Sequence, residues 1–514
     1  MLRRNLAFAL ALFLFASPLY AQSEQSIRSA VASITPEEII RRIGVIAHDS
    51  MRGRATPSPE LEKVAAFIGG EFQKFGLKPG GDSGRFIQRY PLRRVQLDTI
   101  ASVVAVSGGP TLRIPRDAAA VGLRDVEASG KVVIVTGTTI DAASAQQMDL
   151  AGAVVLLPLA PEDPTGRNSP LVRSLNLINA QRPAATVLVS PIADAPWRQL
   201  SRNALGARIS PAWQADAGPA GMRGVPLVLI REAALRPALE RQGVDLGALR
   251  RAGGPLLATP VNLTISISLK MQAAASASAP NVVGILEGSD PVLKNEYVVF
   301  SGHMDHIGVG APDARGDSIN NGADDDASGT IAVVQLAQAF SRLSPRPKRS
   351  LIFLTVSGEE RGLWGSEYFT LHPPVEMAHV VADLNTDMVG RNWKDTIVAI
   401  GKEHSDLGAT LNRVNAAHTE LGMTAIDDIW PEENFYQRSD HFNFARKGVP
   451  ILFFFNGTHP DYHRPGDEVS KIDGEKESRI VKLVFYLGLD LANAAERPKW
   501  NPESYKNIVR PPTP

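Results

Sequence analysis

Apolar positions along this chain repeat in two ways, and the change of repeat divides it into stretches. Near the start the spacing is helical. Thr35 can cap, Pro36 takes a first helical position and Glu38 completes a capping box, after which Ile39, Ile40, Ile43 and Ile46 follow at helical intervals. A second helix is predicted from Pro59 to Phe75, with Leu61, Val64, Ala65, Ile68, Phe72 and Phe75 on one face and Gly76 at its end. From about Ser107 to Leu269 short β-branched runs (Val132 to Thr136, Ala153 to Leu157, Ala185 to Val189, Val225 to Ile230, Leu263 to Leu269) alternate with Gly-, Pro- and Ala-rich loops. That texture predicts a separate β-rich module. The Ala/Ser tract Gln272 to Pro280 reads as a connector.

From Asn281 onward strands alternate with helices. The predicted strands are Val282 to Leu286, Tyr297 to Phe300, Leu351 to Val356, Val380 to Leu384, Thr396 to Ile400 and Ile451 to Phe455. The predicted helices are Ala327 to Leu343, Leu363 to Leu371, Asp406 to Leu421 and Arg479 to Ala495. Such alternation predicts an α/β fold, with a mixed, partly parallel central sheet flanked by helices. Ligand-bearing loops in that architecture lie beyond the carboxyl ends of the strands. Residues 22–106 and 275–497 then form one discontinuous domain, residues 107–274 an insertion, and residues 498–514 a Pro-rich, extended tail.

The first residues read differently. Arg3 and Arg4 precede an apolar run from Leu6 to Phe15, and small Ala21 stands where a signal peptidase would cut. The run is shorter than the roughly 20 residues needed to span a bilayer. Cleavage of residues 1–21 and export to the periplasm or medium, with no stable membrane anchor, is the expectation.

Composition narrows the chemistry. Lys+Arg and Asp+Glu both number 54 in 514 residues, so no global field points to nucleic acid. Cysteine is absent, which excludes disulfides, thiolate metal sites and a Cys nucleophile. A transition-metal site would have to use His, Asp and Glu.

Five segments place such residues at strand ends or in loops: His303-Met304-Asp305-His306, Asp324-Asp325-Asp326, Glu359-Glu360, Asn385-Thr386-Asp387 and Asp461-Tyr462-His463. Two adjacent ionised glutamates after an apolar strand are costly unless a cation neutralises them or one serves as a proton acceptor. A His/carboxylate donor set without thiolates suits zinc, cobalt or manganese. Spacing alone leaves His306 beside His303, His459 beside His463, and all three aspartates of the triplet open. The gap to Asp305 favours His303, and the Tyr-His pair favours His463.

Taken together, His303-x-Asp305, Gly322 to Gly329, Glu359-Glu360, Asn385-x-Asp387-Met-Val-Gly, Ser439-Asp440-His441 and Tyr462-His463 resemble the M28 family of co-catalytic zinc metallopeptidases. Arg52-Gly53-Arg54 and Gly76-Leu77 are similar to that family's N-terminal segment, and Ser107 to Leu269 resembles its protease-associated (PA) domain insertion. The resemblance implies an exported aminopeptidase with two zinc ions and peptide substrates. His303 and Asp387 would hold one ion, Glu360 and His463 the other, and Asp325 would bridge them. Glu359 would be the general base and Tyr436 a donor to the oxyanion. Asp305 would orient His303, while Asp326, Asp440 and His441 would support the site. A cis Asp325-Asp326 peptide is also implied. The alternatives within this fold are a glutaminyl-cyclase-like acyltransferase with one zinc, and a carboxypeptidase or dipeptidase.

Overall fold

The computed structural model describes residues 22–122, 124–138, 147–166, 169–214, 225–251 and 253–509. The segment read as a cleaved leader, residues 1–21, lies outside them. Among the described residues no helix is long and apolar enough to cross a membrane. The described residues form two compact units, one from the chain before and including Tyr90 with that from Ala279 onward, and the other between Pro91 and Ser278.

The first unit has the expected α/β sheet. Its strands run in the order Thr424–Ile426, Thr396–Ile400, Ile451–Phe455, Val380–Thr386, Tyr297–His303, Ser350–Val356 and Met271–Leu286. The middle four are parallel to one another: Ile451–Phe455, Val380–Thr386, Tyr297–His303 and Ser350–Val356. Thr396–Ile400 and Val282 to Leu286 pair antiparallel on either side. Both faces are covered, which is why the central strands read as nearly continuous apolar runs. Val298, Phe300, Leu351 and Phe353 enter one core, and Val299, Ile352, Leu354 and Val356 enter the other. The first core is closed by helices Pro36–Ile46, Pro59–Lys74, Gly329–Ser341 and Gly474–Asn493.

Three stretches depart from the sequence reading. The Ala/Ser tract is no loose connector; it belongs to one long strand, Met271–Leu286. The last long helix begins at Gly474, five residues before the apolar stripe, because the Asp473 carboxylate accepts from the Lys476 amide at 3.0 Å. The tail is not wholly extended. Asn501 accepts from the amides of Glu503 and Ser504, Pro502 fits the first turn, and Pro502–Ile508 is a helix.

The second unit holds an eight-stranded sheet in the order Thr111–Leu112, Val103–Val106, Leu257–Leu269, Val126–Thr136, Val154–Pro158, Ala185–Ser190, Leu227–Arg231 and Ala118–Ala120. Val126–Thr136, Val154–Pro158, Ala185–Ser190 and Leu227–Arg231 are parallel. Helices such as Asp194–Leu205 and Glu232–Glu240 lie between its strands, so this unit is less purely β than its texture suggests.

Candidate metal centre

The carboxyl ends of the four parallel strands deliver the acids and histidines to one place. Tyr297–His303 ends on His303, and Ser350–Val356 leads through Ser357-Gly358 to Glu359 and Glu360. Val380–Thr386 runs into Asp387, and Ile451–Phe455 leads to His459 and His463. Asp325 comes from a tight turn, Ala323–Ser328, that opens helix Gly329–Ser341, and its peptide to Asp326 is cis. Glycine is required at Gly329: a Cβ there would stand 2.1 Å from the Thr386 carbonyl oxygen. Met388 and His463 both adopt positive φ, 53° and 56°, beside the acids they serve. Such backbone persists only where its surroundings hold it, and it concentrates at functional sites.

Asp325 lies between two sets of donors. Its Oδ1 is 3.4 Å from His303 Nε2, which is 3.6 Å from Asp387 Oδ1 and 3.9 Å from Glu359 Oε2. Its Oδ2 is 3.1 Å from His463 Nε2, which is also 3.1 Å from Glu360 Oε2. His306 stands in this second set, where spacing had made it only a rival of His303. Its Nδ1 is 2.7 Å from Glu360 Oε1 and 3.7 Å from Asp325 Oδ2. The donor atoms of His303, Asp325 and Asp387 lie within 4.8 Å of one another, as do those of His306, Asp325 and Glu360. Asp325 Oδ2, Glu360 Oε1 and both ring nitrogens of His306 are buried without a hydrogen bond. Atoms this close yet not aligned on one another converge on shared space, as donors around a cation do. Buried carboxylates in this number are costly without one. The residues therefore fit zinc.

The family model for peptidase family M28 matches residues 281–488. Those residues are what the chain shares with M28 peptidases. A probable zinc metalloprotease of Pyrenophora teres f. teres is 27% identical over 285 residues, covering 46% of this chain and 57% of that protein. Leupeptin-inactivating enzyme 1 of Streptomyces exfoliatus is 28% identical over 208 residues, 40% of this chain and 42% of that one. A probable leucine aminopeptidase of Arthroderma benhamiae is 29% identical over 224 residues, 42% of this chain and 58% of that one. The chain thus spans about half the length of the curated relatives it matches. An aminopeptidase from Aneurinibacillus sp. strain AM-1 shares the fold, with a TM-score of 0.52 at 17% identity over 92% of this chain and 97% of that one.

The acids beside the centre act as ties. Asp326 Oδ2 accepts from the His303 amide at 3.0 Å, and its Oδ1 accepts from the amides of Gly329 and Met388 at 2.9 and 3.1 Å. One carboxylate thus joins three loops. The carbonyl oxygen of Asp305 lies 3.2 Å from His303 Nδ1, while its carboxylate accepts from Thr56 Oγ1 at 2.7 Å. Ser439 Oγ donates to Asp387 Oδ2 at 2.8 Å. Asp440 is fully buried, and burial pushes its carboxyl up to about 7 against the pull of His303. His441 stacks on Phe453 and bonds the Tyr436 carbonyl through Nε2 at 2.9 Å; burial holds its pKa down to about 3.

Two residues to which the sequence reading gave no supporting role complete this support. Buried His459 has Nδ1 3.1 Å from Arg391 Nη1 and Nε2 3.3 Å from Asp324 Oδ2. An arginine only donates, so Nδ1 accepts and the Nε2 proton faces Asp324. Arg54, wholly buried, donates to the carbonyls of Met304 and Gly322 at 2.8 and 2.7 Å and to that of Asn321.

Tyr436 is not brought to the centre. The short turn Phe435–Gln437 points Phe435 into the cleft in front of the acids and packs the Tyr436 ring edge-on against His404, with centroids 4.4 Å apart. The Tyr436 hydroxyl is buried without a hydrogen bond. Tyr462 lines the cleft instead, its ring stacked on His463 at 3.9 Å. Adjacency to His463 was the only signal for it in the sequence.

Charge is finely divided here. Burial opposes a proton on His463, yet Asp325 and Glu360 outweigh it and lift the ring to about 10. Burial pushes the Glu359 carboxyl well up; His303 opposes this, and Asp440, Glu360 and Asp387 add to it. Glu359 and Glu360 are neighbours in sequence with unlike surroundings. Glu360, held below its usual range, meets burial first but also His306 and His463.

Proposed function

We propose that this chain is an exported two-zinc exopeptidase that releases N-terminal residues from peptides. The observation that carries the reading is the division of Asp325, with one oxygen toward His303 and Asp387 and the other toward His463 and Glu360. One zinc would be held by His303, Asp387 and Asp325, the other by His463, Glu360 and Asp325. His306 would hold the second oxygen of Glu360. When bound, zinc would polarise the scissile carbonyl and make the attacking water more acidic.

The chain's own groups do the rest. Glu359 takes a proton from the attacking water and later delivers it to the leaving amine, a role favoured by a carboxyl that burial raises well above its ordinary range. Tyr462, its hydroxyl held in the protonated form by burial and by Asp325, donates to the oxyanion in place of Tyr436. Residues 107–274 would be a PA-like insertion in a peptidase domain of residues 22–106 and 275–497, with residues 1–21 removed on export.

The test is a panel of aminoacyl-nitroanilides set against N-blocked and C-amidated peptides, with Glu359→Gln alongside. Hydrolysis only where the α-amine is free, and a loss of about a hundredfold to ten-thousandfold in kcat for Glu359→Gln, is the expected result. Cleavage of N-blocked peptides from the carboxyl end, or cyclisation of N-terminal glutamine with one zinc per chain, would replace the reading.

A further inference from the structure

We propose that Arg438 is a specificity residue that binds a carboxylate of the substrate; this rests on the exopeptidase reading. Arg438 lines the same cleft as His303, Asp325, Glu359 and Asp387. Among the described residues lining it, Arg438 is the one side chain with a fixed positive charge. Phe435, Phe453 and Phe455 also line that cleft and give it an apolar wall beside the charge.

The guanidinium is held ready. It lies over the Phe435 ring, 4.6 Å from the centroid, in a cation–π contact that favours this placement. Its acid partner, Glu433, is 3.3 Å away, and the two side chains are 43% and 60% exposed. An exposed pair of this kind contributes little and leaves most of the donor fork open. A planar fork held over an aromatic ring suits a carboxylate in two-point contact, and a positive charge repels an amine. The carboxylate could belong to an acidic side chain on the residue being released, or to the free C-terminus of a dipeptide.

The zinc-loaded full chain is assayed on two pairs of substrates: glutamyl- against leucyl-p-nitroanilide, and Leu-Gly against Leu-Gly-amide. In Arg438→Ala at least one charged-to-neutral ratio of kcat/KM is expected to fall by about tenfold to a hundredfold, the range for a hydrogen bond to a charged group. Arg438→Lys, which keeps the charge but loses the fork, should fall less. A fall in the first ratio assigns the side-chain carboxylate, and a fall in the second assigns the C-terminal one. If Arg438→Ala does not fold, Arg438→Gln serves in its place. Ratios equal to those of the unsubstituted protein would overturn this inference alone. Failure of the zinc-loaded protein to cleave any of the four would overturn the exopeptidase reading, and this inference with it.

Discussion

Replacing Arg54 by alanine should destabilise the unit that carries the metal centre, although Arg54 is no ligand. Its guanidinium is wholly buried and donates to Met304, Asn321 and Gly322, carbonyls that flank His303 and Asp325. Burial disfavours its charge, and Asp325, Asp305, Asp326 and Asp467 favour it. Each buried acceptor left without a donor costs about 1–3 kcal/mol. Three give an upper bracket of about 9 kcal/mol, which coupling between neighbours and water entering the void bring to about 3–5 kcal/mol. Arg54→Lys keeps the charge but cannot reach all three carbonyls, so it should recover part of the loss. Urea unfolding followed by a probe in this unit, with and without added zinc, measures it. The two units need not unfold together, so the midpoint and slope are read for this transition alone. Zinc binds only the folded form and stabilises both proteins by mass action, so it should leave the gap unchanged where the variant's site is intact and widen it where the site binds zinc more weakly. A loss below about 1 kcal/mol, within the range of an ordinary surface change, would refute the reasoning.

Other outcomes follow from the same contacts. His441 has its pKa depressed to about 3 in the folded protein against 6.5 ordinarily. Below about pH 6.5 the unfolded chain takes up a proton that the folded one refuses, so stability falls as pH drops toward 3, by up to about 1.4 kcal/mol per unit. His441→Gln should flatten that slope in pH-resolved denaturation curves; an unchanged slope would remove His441 from the account. His459→Ala severs the link between Asp324 and Arg391, and zinc affinity, read by competition with a chelator dye, should weaken about 10- to 100-fold, as when groups behind metal ligands are lost. Affinity equal to that of the unsubstituted protein would make His459 packing alone.

The central strands are legible in the sequence because burial on two faces leaves Ile451 to Phe455 wholly apolar and Leu351 to Val356 with Thr355 as its single polar position. Four of the five acid-bearing segments are legible because each comes after such a run; the Asp324 to Asp326 triplet instead opens a helix. What spacing cannot convey is direction. His303 and His306 are three residues apart, yet the turn after the strand sends them to opposite oxygens of Asp325. Phe435 and Tyr436 are adjacent, and one turn sends the first into the cleft and the second away from it. Arg54 is far from the centre in sequence and meets it only through backbone carbonyls, which leave no trace in residue type. The tail helix was hidden by its prolines, although Asn501-Pro502 is itself a helix start.

The claim that Asp325 serves two metals is tested most directly by counting them. Purified protein, dialysed against zinc and then freed of unbound ion, is analysed by inductively coupled plasma mass spectrometry beside Asp325→Asn. The account predicts two zinc ions per chain, and a loss from both positions in the variant, because the carboxylate faces both donor sets. A single zinc in the unsubstituted protein, or two that persist in Asp325→Asn, would contradict it.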